Sequence, residues 1–472
     1  MTPFDTSVAN MRGQSLLLGM AFLLLTLVGC ANRPINPPMD KIDLQTGYRG
    51  LSHTRSQGNN KLPENLVVLA FSGGGTRAAA FSYGVLEALR EMELQESSGK
   101  KVRALDQVNL ITGVSGGSFT ALSYGLYGDK LFDFYDTDFL KRDVQGEIIA
   151  RVANPFNWTR LGSTGWGRSE LAAELYDEIL FHGATYADLK KNKGSYILAS
   201  GTDISSGGGF TFDQSFFDYL CSDLMGVPLS RAAASSSAVP FVLSSVTYNN
   251  YAGRCKFIEP DYLARFEDSA NAPRPAARLI KEMNDLKLYH DQKDNPYIHV
   301  VDGGVADNLA MRQMLDFLEG LEAMHLSGQA TEFDNVKRII VVVVNALSSP
   351  KTTWNQSVNG PGAIELLIKA AGVPIDHYSY EEVETLKDTQ ARWNNMRTLR
   401  DSPLFKSNKN PELAKIVNTP NIDLYAVNVA FNMLEDKAEF DYLNNLPTSF
   451  VLPPEAALPM FEAACSDQGR NL

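Results

Sequence analysis

The chain has 472 residues and a formal net charge of −12 at pH 7, and this acidic balance argues against binding to nucleic acid. Hydrophobic residues make up 44% of the sequence, as in a packed soluble protein, and the length allows one large α/β domain or two ordinary ones. The six histidines contain no His-x-x-x-His pair and no Cys-x-x-Cys spacing occurs, so we expect neither zinc nor another metal or cofactor.

The N-terminal residues 1–29 resemble the signal peptide of a bacterial lipoprotein. A polar start with Arg12 precedes an apolar run over 16–28, which is too short to span a membrane. The run ends in Leu-Val-Gly-Cys, which is similar to the site where such signals are cleaved and Cys30 is lipidated. Ala31 follows instead of aspartate, and by resemblance to lipoprotein sorting signals this implies the outer membrane, with the folded part periplasmic or surface-exposed. A short anchor with a chance cysteine is the alternative.

Residues 30–63 are polar and proline-containing, with prolines at 34, 37 and 38. This composition favours a flexible tether between the lipidated cysteine and a folded domain that begins near residue 64. The tether would hold the domain at the membrane through its N-terminal lipid anchor.

Six apolar runs farther along the chain have the composition of buried strands. Because helix-like segments alternate with them, the pattern predicts a three-layer α/β/α fold with a mostly parallel central sheet. We assign residues 64–346 to this domain and residues 347–472 to a C-terminal helical extension that packs on it, with a polar helical stretch at 351–411. The runs lie at 66–71, 108–112, 195–203, 297–301, 338–344 and 422–430.

The first strand leads into a glycine loop at 72–78. The backbone N–H groups of Gly73, Gly74 and Gly75 form a donor set for an anion at the start of a helix. A nucleotide is disfavoured, because no Walker Lys-Ser/Thr follows and Ala78 replaces the third glycine of the dinucleotide fingerprint. The donors instead suit an oxyanion hole. Arg77 could hold the loop, form a structural ion pair or bind a substrate phosphate.

The second strand leads into a serine motif at 113–117, which fits Gly-x-Ser-x-Gly between a strand and a helix. This is the pattern of a nucleophile elbow, in which Ser115 lies on a sharp turn with its hydroxyl exposed. Gly113 and Gly117 permit the strained backbone and the close approach of neighbouring chain segments.

A third motif at 302–304, Asp302-Gly303-Gly304, follows a later strand. It places a carboxylate at the carboxyl edge of the sheet, where the sites of α/β proteins lie. His299 precedes Asp302 by three residues, so the two side chains point to opposite faces of the strand. A base formed by His299 with an acidic partner, as in ordinary esterases, is the alternative.

Taken in this order, the three motifs resemble those of the patatin-like phospholipases. The small-residue stretch Ser-Ser-Ser-Ala-Val-Pro-Phe at 235–241 adds to a resemblance that covers 66–309. The resemblance implies an acyl hydrolase of lipid or phospholipid esters that works through an acyl-enzyme. By this resemblance Ser115 is the nucleophile, Asp302 is its base without histidine, and the three glycines form the oxyanion hole. Two departures from the family pattern, Ser72 and Ala78, remove no catalytic side chain.

The cysteine pairing and the catalytic role each have an alternative. Cys221 and Cys255 are a plausible disulfide pair in an exported protein, but Cys465 makes the number of remaining cysteines odd. A lipoprotein that keeps the fold only as a binding or scaffolding module is the non-enzymatic alternative. The sequence specifies neither the head group, the acyl position nor the oligomeric state.

Overall fold

The structure is a computed structural model, and it describes residues 31–54, 61–95, 99–257, 277–326, 330–411, 413, 421–453 and 456. Within these ranges the chain forms ten strands: β1 (Asn65–Phe71), β2 (Glu93–Gln95), β3 (Lys101–Arg103), β4 (Val108–Val114), β5 (Tyr196–Asp203), β6 (Gly209–Thr211), β7 (Val246–Asn249), β8 (Tyr297–Asp302), β9 (Arg338–Asn345) and β10 (Asp423–Ala430).

The same ranges contain fourteen α-helices: α1 (Gly50–Thr54), α2 (Thr76–Glu91), α3 (Gly116–Tyr127), α4 (Val144–Ala153), α5 (Trp158–Leu161), α6 (Arg168–Tyr176), α7 (Tyr186–Lys191), α8 (Gln214–Tyr219), α9 (Leu229–Ser236), α10 (Ala277–Leu288), α11 (Arg312–Leu326), α12 (Ala363–Asp401), α13 (Pro403–Lys406) and α14 (Lys437–Asn444). Short 3₁₀ or π turns lie at Ala104–Gln107, Gly128–Asp133, Asp136–Leu140, Pro155–Asn157, Asp177–Phe181, Leu224–Gly226, Gly303–Val305, Trp354–Gln356 and Phe431–Met433. Among the helices of the described ranges, none is both long enough and apolar enough to cross a membrane.

Eight strands form the central sheet, and the predicted mostly parallel arrangement is confirmed. Five neighbours in the order β10-β9-β1-β4-β5 run parallel. Strand β8 then pairs antiparallel with both β5 and β7, and β6 adds a second antiparallel pairing to β5. The remaining strands, β2 and β3, form a separate hairpin.

The direction of β8 differs from the arrangement expected from the sequence. Asp302 lies opposite Gly201 of β5 in an antiparallel pair, whereas Val114 of β4 lies opposite Ser200 in a parallel pair. Asp302 therefore reaches the carboxyl ends of β4 and β5 as predicted, but its own strand arrives from the opposite direction. Strand direction depends on tertiary pairing, and the five-residue run at 297–301 carries no signal for it.

Helices cover both faces of the sheet, as the three-layer prediction requires. Along β1, Leu69 and Phe71 join a core cluster with α2, α3, α6 and α9. Val68 and Ala70 join a second cluster with α11, α12 and β9. Because side chains alternate across a strand, a continuous apolar run can fill both clusters at once.

The predicted flexible tether is wrong for residues 31–54, which pack on the domain. Arg49 and Asp218 form an ion pair at 2.8 Å with both side chains buried. The Tyr48 ring is buried against Tyr196, and the Tyr48 hydroxyl accepts the N–H of Ile197 at 2.7 Å. Polar residues suggested a solvated segment, but here their side chains find buried partners. Residue 30 and residues 55–60 lie outside the described residues.

The predicted boundary between residues 346 and 347 does not divide the sheet. Strand β10, from the C-terminal part, pairs along its whole length with β9. The polar helical stretch predicted at 351–411 contains α12, a 39-residue helix with Pro374 inside it, which packs against β10 and α11. The C-terminal part is therefore a component of the central sheet rather than only a helical extension.

Cys221 and Cys255 are joined by a disulfide, the pairing that the sequence left open. The bond ties the end of α8 to the segment that follows β7. The signal peptide assigned to 1–29, the lipidation site Cys30 and the third cysteine, Cys465, lie outside the described residues.

Candidate active site

Ser115 lies in the turn between β4 and α3, in the strand–turn–helix context predicted for it, but the residue is buried rather than exposed as expected. Its φ of 50° and ψ of −123° are unusual for a residue with a side chain and cost about 1–3 kcal/mol. A Cβ at Gly116 would overlap the carbonyl oxygen of Gly75, and one at Gly117 would lie 2.6 Å from the carbonyl oxygen of Phe71. Glycine at these positions therefore allows the turn to pack directly against the glycine loop.

Ser115 and Asp302 meet although they are 187 residues apart. The Ser115 hydroxyl donates to Asp302 Oδ2 at 2.8 Å, and the N–H of Gly304 donates to Asp302 Oδ1 at 2.8 Å. The N–H of Asp302 donates to the carbonyl of Ala238 at 3.0 Å. These contacts fix the carboxylate on both sides.

Burial raises the pKa of Asp302 to about 6, and the hydrogen bonds from Gly304 and Ser115 oppose part of that rise. An isolated aspartate would have a pKa near 4. A carboxylate with a pKa near 6 is still ionised at neutral pH, and it is a stronger proton acceptor than an exposed aspartate.

His299, the alternative base, does not lie beside Ser115. Its Nδ1 is 3.1 Å from the hydroxyl of Thr247 on β7. As the strand alternation predicts, His299 and Asp302 point to opposite faces of β8. The geometry brings the carboxylate to the serine and leaves the imidazole away from it.

The three glycines of the loop are not equivalent as donors. The N–H of Gly73 donates to the carbonyl of Asn308 at 2.8 Å, so that donor is already engaged. Within the described part of the chain, no acceptor receives the N–H of Gly74 or Gly75. Both residues have a positive φ, 140° and 64° respectively, which glycine adopts without steric cost. Two of the three predicted donors are therefore available for an anion.

Gly303 provides close packing behind Asp302. A Cβ on this residue would overlap a methyl group of Val114 and would lie 2.6 Å from the carbonyl oxygen of Ser200. Only glycine allows the turn after Asp302 to approach β4 and β5 this closely.

Arg77 is a structural residue of the loop in this arrangement. Its side chain is buried. Its Nε donates to the carbonyl of Ala346 at 3.0 Å. Its two terminal nitrogens donate to the carbonyl of Leu446 at 2.7 Å and to the hydroxyl of Thr448 at 3.2 Å. Burial lowers its pKa to about 10. All three acceptors belong to the chain after β9, so Arg77 joins the glycine loop to the C-terminal part.

Sequence reasoning missed two residues that hold the site together. The Ser236 hydroxyl accepts the N–H of Ser115 at 2.9 Å and donates to the carbonyl of Ser200 at 2.6 Å. The Asn308 side chain lies between the two glycine motifs, close enough to overlap a Cβ on Gly73. The small-residue stretch at 235–241 was a signal for Ser236, but no local pattern singled out Asn308.

Within the described ranges, no group of three or more His, Cys, Asp or Glu residues is arranged to hold a metal ion. The sequence-based expectation that the reaction uses no metal or cofactor stays a prediction.

Comparison with known proteins places the chain among phospholipases. The family model described as patatin-like phospholipase matches residues 69–315, just over half of the chain, and spans all three motifs. No curated protein sequence matches significantly.

Similar solved structures include human GIVD cytosolic phospholipase A2, 13% identical with a TM-score of 0.33, where the match covers 88% of this chain and 60% of that one. VipD from Legionella pneumophila is 12% identical with a TM-score of 0.26, and the match covers 94% of this chain and 71% of VipD. Full-length ExoU from Pseudomonas aeruginosa is 11% identical with a TM-score of 0.22, and the match covers 87% of this chain and 78% of ExoU. The chain thus spans about three fifths of the human enzyme's length. On the family match, the chain belongs to the patatin-like phospholipases.

Proposed function

We propose that the protein is a lipid acyl hydrolase that cleaves carboxylic ester bonds through an acyl-enzyme on Ser115. The observation that carries this proposal is the 2.8 Å hydrogen bond from the Ser115 hydroxyl to Asp302 at a strained turn beside the glycine loop. Membership of the patatin-like phospholipases supports lipid esters as the substrate class.

In the first half-reaction Asp302 accepts the hydroxyl proton while Ser115 Oγ attacks the ester carbonyl carbon. The carbonyl electron pair moves onto its oxygen, and the N–H groups of Gly74 and Gly75 stabilise the negative charge. Collapse of this intermediate breaks the bond to the alcohol, which takes the proton from Asp302. The acyl group remains on Ser115.

In the second half-reaction Asp302 takes a proton from water as the water attacks the acyl carbonyl. The same N–H groups stabilise the second tetrahedral intermediate. Its collapse breaks the bond to Ser115 Oγ, which recovers the proton, and the fatty acid leaves. No group other than Asp302 has to carry a proton in this scheme.

The dyad is tested by ester hydrolysis with Ser115→Ala, Asp302→Ala and His299→Ala. We expect Asp302→Ala to lower kcat by about 10²–10⁴-fold, the usual contribution of a general base. Ser115→Ala should lower kcat at least as much, because it removes the nucleophile, and His299→Ala should retain normal turnover. Full activity in either dyad variant rejects the proposal. Loss of activity in Ser115→Ala and His299→Ala, with an active Asp302→Ala, would favour the serine–histidine alternative.

We also propose that Cys30 is lipidated and holds the protein at the outer membrane, with the catalytic part periplasmic or surface-exposed. The support is the small-residue sequence before Cys30 and the disulfide, which suits an oxidising compartment. Mass spectrometry of the mature N-terminal peptide tests this: a diacylglyceryl group on Cys30 is expected, and an unmodified cysteine contradicts it.

A further inference from the structure

Four large apolar side chains protrude from two neighbouring segments. Phe156 lies in the short 3₁₀ turn before α5, Trp158 is the first residue of α5, and Phe241 and Val242 lie in the loop after α9. They are between 57% and 88% exposed. We call these four residues the apolar rim. A cluster of this kind on a protein surface commonly marks an interaction site.

The loop after α9 connects one half of the rim directly to the catalytic base. The carbonyl of Ala238 accepts the N–H of Asp302 at 3.0 Å, and Phe241 follows three residues later. Phe241 has a φ of 72°, a conformation that phenylalanine rarely adopts and that strains the backbone. The fold therefore holds an exposed aromatic ring beside the active site at an energetic cost.

The segment that follows α5 connects the other half of the rim to the start of the described chain. The N–H of Ala31 donates to the hydroxyl of Ser163 at 3.0 Å, and that hydroxyl donates to the carbonyl of Thr159, next to Trp158. Farther along this segment, the N–H of Ser169 donates to the hydroxyl of Ser244, two residues after Val242. The stretch from Thr159 to Ser169 thus contacts Ala31 and the loop that carries Phe241 and Val242, and it directly follows Trp158.

These contacts point to the occupant of the rim. Ala31 directly follows the proposed lipidation site in the sequence, and its N–H is held by Ser163 on the segment that follows Trp158. Acyl chains carried by Cys30 would therefore enter a membrane next to the rim. Residues 31–54 pack on the domain, so this short connection would also fix the orientation of the protein on the bilayer.

We propose that the apolar rim docks on the surface of a phospholipid bilayer and presents the Ser115–Asp302 site to lipid in that same bilayer. The inference rests on the proposed lipid hydrolase function and on lipidation of Cys30. It assigns a membrane-facing side to the molecule and explains why the entry of the chain, the exposed aromatic residues and the catalytic base lie along one connected path.

Two basic side chains close to Trp158 in the sequence are already paired with carboxylates. Arg160 is paired with Glu174 and Arg151 with Glu178, so these basic groups are already neutralised by protein carboxylates. Docking driven by inserted apolar side chains should depend little on the anionic lipid content or on salt.

The orientation is tested with the acylated protein in phosphatidylcholine vesicles that contain nitroxide-labelled lipid, by tryptophan fluorescence quenching. Trp158→Phe should remove most of the quenchable fluorescence. Trp393→Phe is the matched control, because Trp393 packs against the core cluster on the opposite face of the sheet, and it should leave quenching unchanged. Equal effects of the two substitutions overturn the proposal, as does an unmodified Cys30. This readout does not require catalysis, so it separates docking from hydrolysis.

A second test uses the ratio of two rates, hydrolysis of vesicle phospholipid over hydrolysis of a soluble short-chain ester. Phe241→Ser with Val242→Ser should lower this ratio about tenfold, given the apolar area that the two side chains would bury. The control is Leu399→Ser with Leu404→Ser, two exposed residues near the end of α12. There Arg397 pairs with Asp423 at the first residue of β10, away from the active site, so this variant should keep the wild-type ratio.

The outcomes separate the possible failures. No hydrolysis of either substrate by the wild-type protein rejects the proposed function but leaves the quenching result valid. An unchanged ratio in the Phe241/Val242 variant overturns the docking proposal. A wild-type dimer that dissociates in this variant, with an unchanged ratio, assigns the rim to a second copy of the chain and also overturns it.

Discussion

Asp302 shows how its surroundings can adapt one side chain to the role of a base. The carboxylate is buried and accepts two hydrogen bonds, one from its own turn and one from Ser115. Burial disfavours its charged form and raises its pKa to about 6. This shift brings an aspartate close to the ordinary pKa of histidine, which is why the proposed mechanism needs no imidazole.

The pH profile of the reaction should report this group. Only ionised Asp302 can accept the proton of Ser115, so kcat/KM should rise with pH through an apparent pKa of about 6 and then level off. The measurement is kcat/KM for a soluble ester between pH 4.5 and about 8. A profile that is flat across this range, or that rises only above pH 7, would contradict the assignment.

The same shift predicts an effect on stability. In the folded protein the pKa of Asp302 is about 6, whereas in the unfolded chain it is near 4. The free energy of unfolding therefore falls as the pH rises from about 4 to about 6, because Asp302 ionises more readily in the unfolded chain. Asp302→Asn removes that penalty and should raise the free energy of unfolding at pH 7.5 by about 1–3 kcal/mol, while abolishing activity. Thermal melting at pH 7.5 and pH 4 checks this.

The increase in the free energy of unfolding from Asp302→Asn should shrink at pH 4, where the carboxyl group of the wild-type protein is protonated. Asp133→Asn, at an exposed position, is the control and should change stability little at either pH. An Asp302→Asn variant that is less stable than the wild type at pH 7.5 would contradict the account.

We expect Ser236 to act as a positioning residue for the turn that carries Ser115. Its hydroxyl bridges the N–H of Ser115 and the carbonyl of Ser200, so Ser236→Ala should lower kcat about tenfold with little change in KM, because the turn loses a hydrogen bond worth about 1–2 kcal/mol. Ser235→Ala is a matched control on the same helix. Ser235 is equally buried but contacts Arg231 and Tyr248 instead. Equal kcat losses in the two variants would indicate general destabilisation only.

Between elements, Arg77 links the glycine loop of α2 to the chain after β9. Its planar guanidinium reaches three acceptors in two segments, one at Ala346 and two at Leu446 and Thr448, a geometry that a lysine ammonium cannot reproduce. The carbonyl of Ser449 also accepts the N–H of Thr76 at 2.8 Å. The C-terminal part therefore fixes the conformation of the proposed oxyanion donors.

Arg77→Lys should lower the free energy of unfolding by about 2–4 kcal/mol, since it leaves buried acceptors unpaired. It should reduce hydrolysis of a phospholipid and of a neutral ester by the same factor. The measurement compares the two substrates in parallel with thermal melting. A selective loss on the phospholipid, with normal stability, would instead show that Arg77 binds the lipid phosphate.

The long strands could be predicted from the sequence because their apolar runs are continuous. The runs at 66–71 and 338–344 differ by one residue at one end from β1 and β9, which are covered on both faces. Strands β6 and β7 were missed because three or four residues give no usable periodicity. The direction of β8 and the contact between Ser236 and Ser115 depend on distant pairing, which no local pattern encodes.

Across the protein, segments from both ends of the chain complete a domain that the sequence suggested was self-contained. Residues 31–54 bury Tyr48 and Arg49 against the core, and the C-terminal part supplies β10 and the acceptors of Arg77. The motifs were predictable because the chemistry demands particular residue types at fixed spacing. The packing of the end segments was not, because their polar residues are stabilised only by partners far away in sequence.

The acyl-enzyme on Ser115 is tested most directly by covalent labelling with a fluorophosphonate, followed by peptide mass spectrometry. We predict a single adduct on Ser115 in the wild-type protein, no adduct in Ser115→Ala, and much slower labelling in Asp302→Ala. A folded wild-type protein that is not labelled, or that is labelled at another residue, would contradict the assignment of Ser115 as the nucleophile.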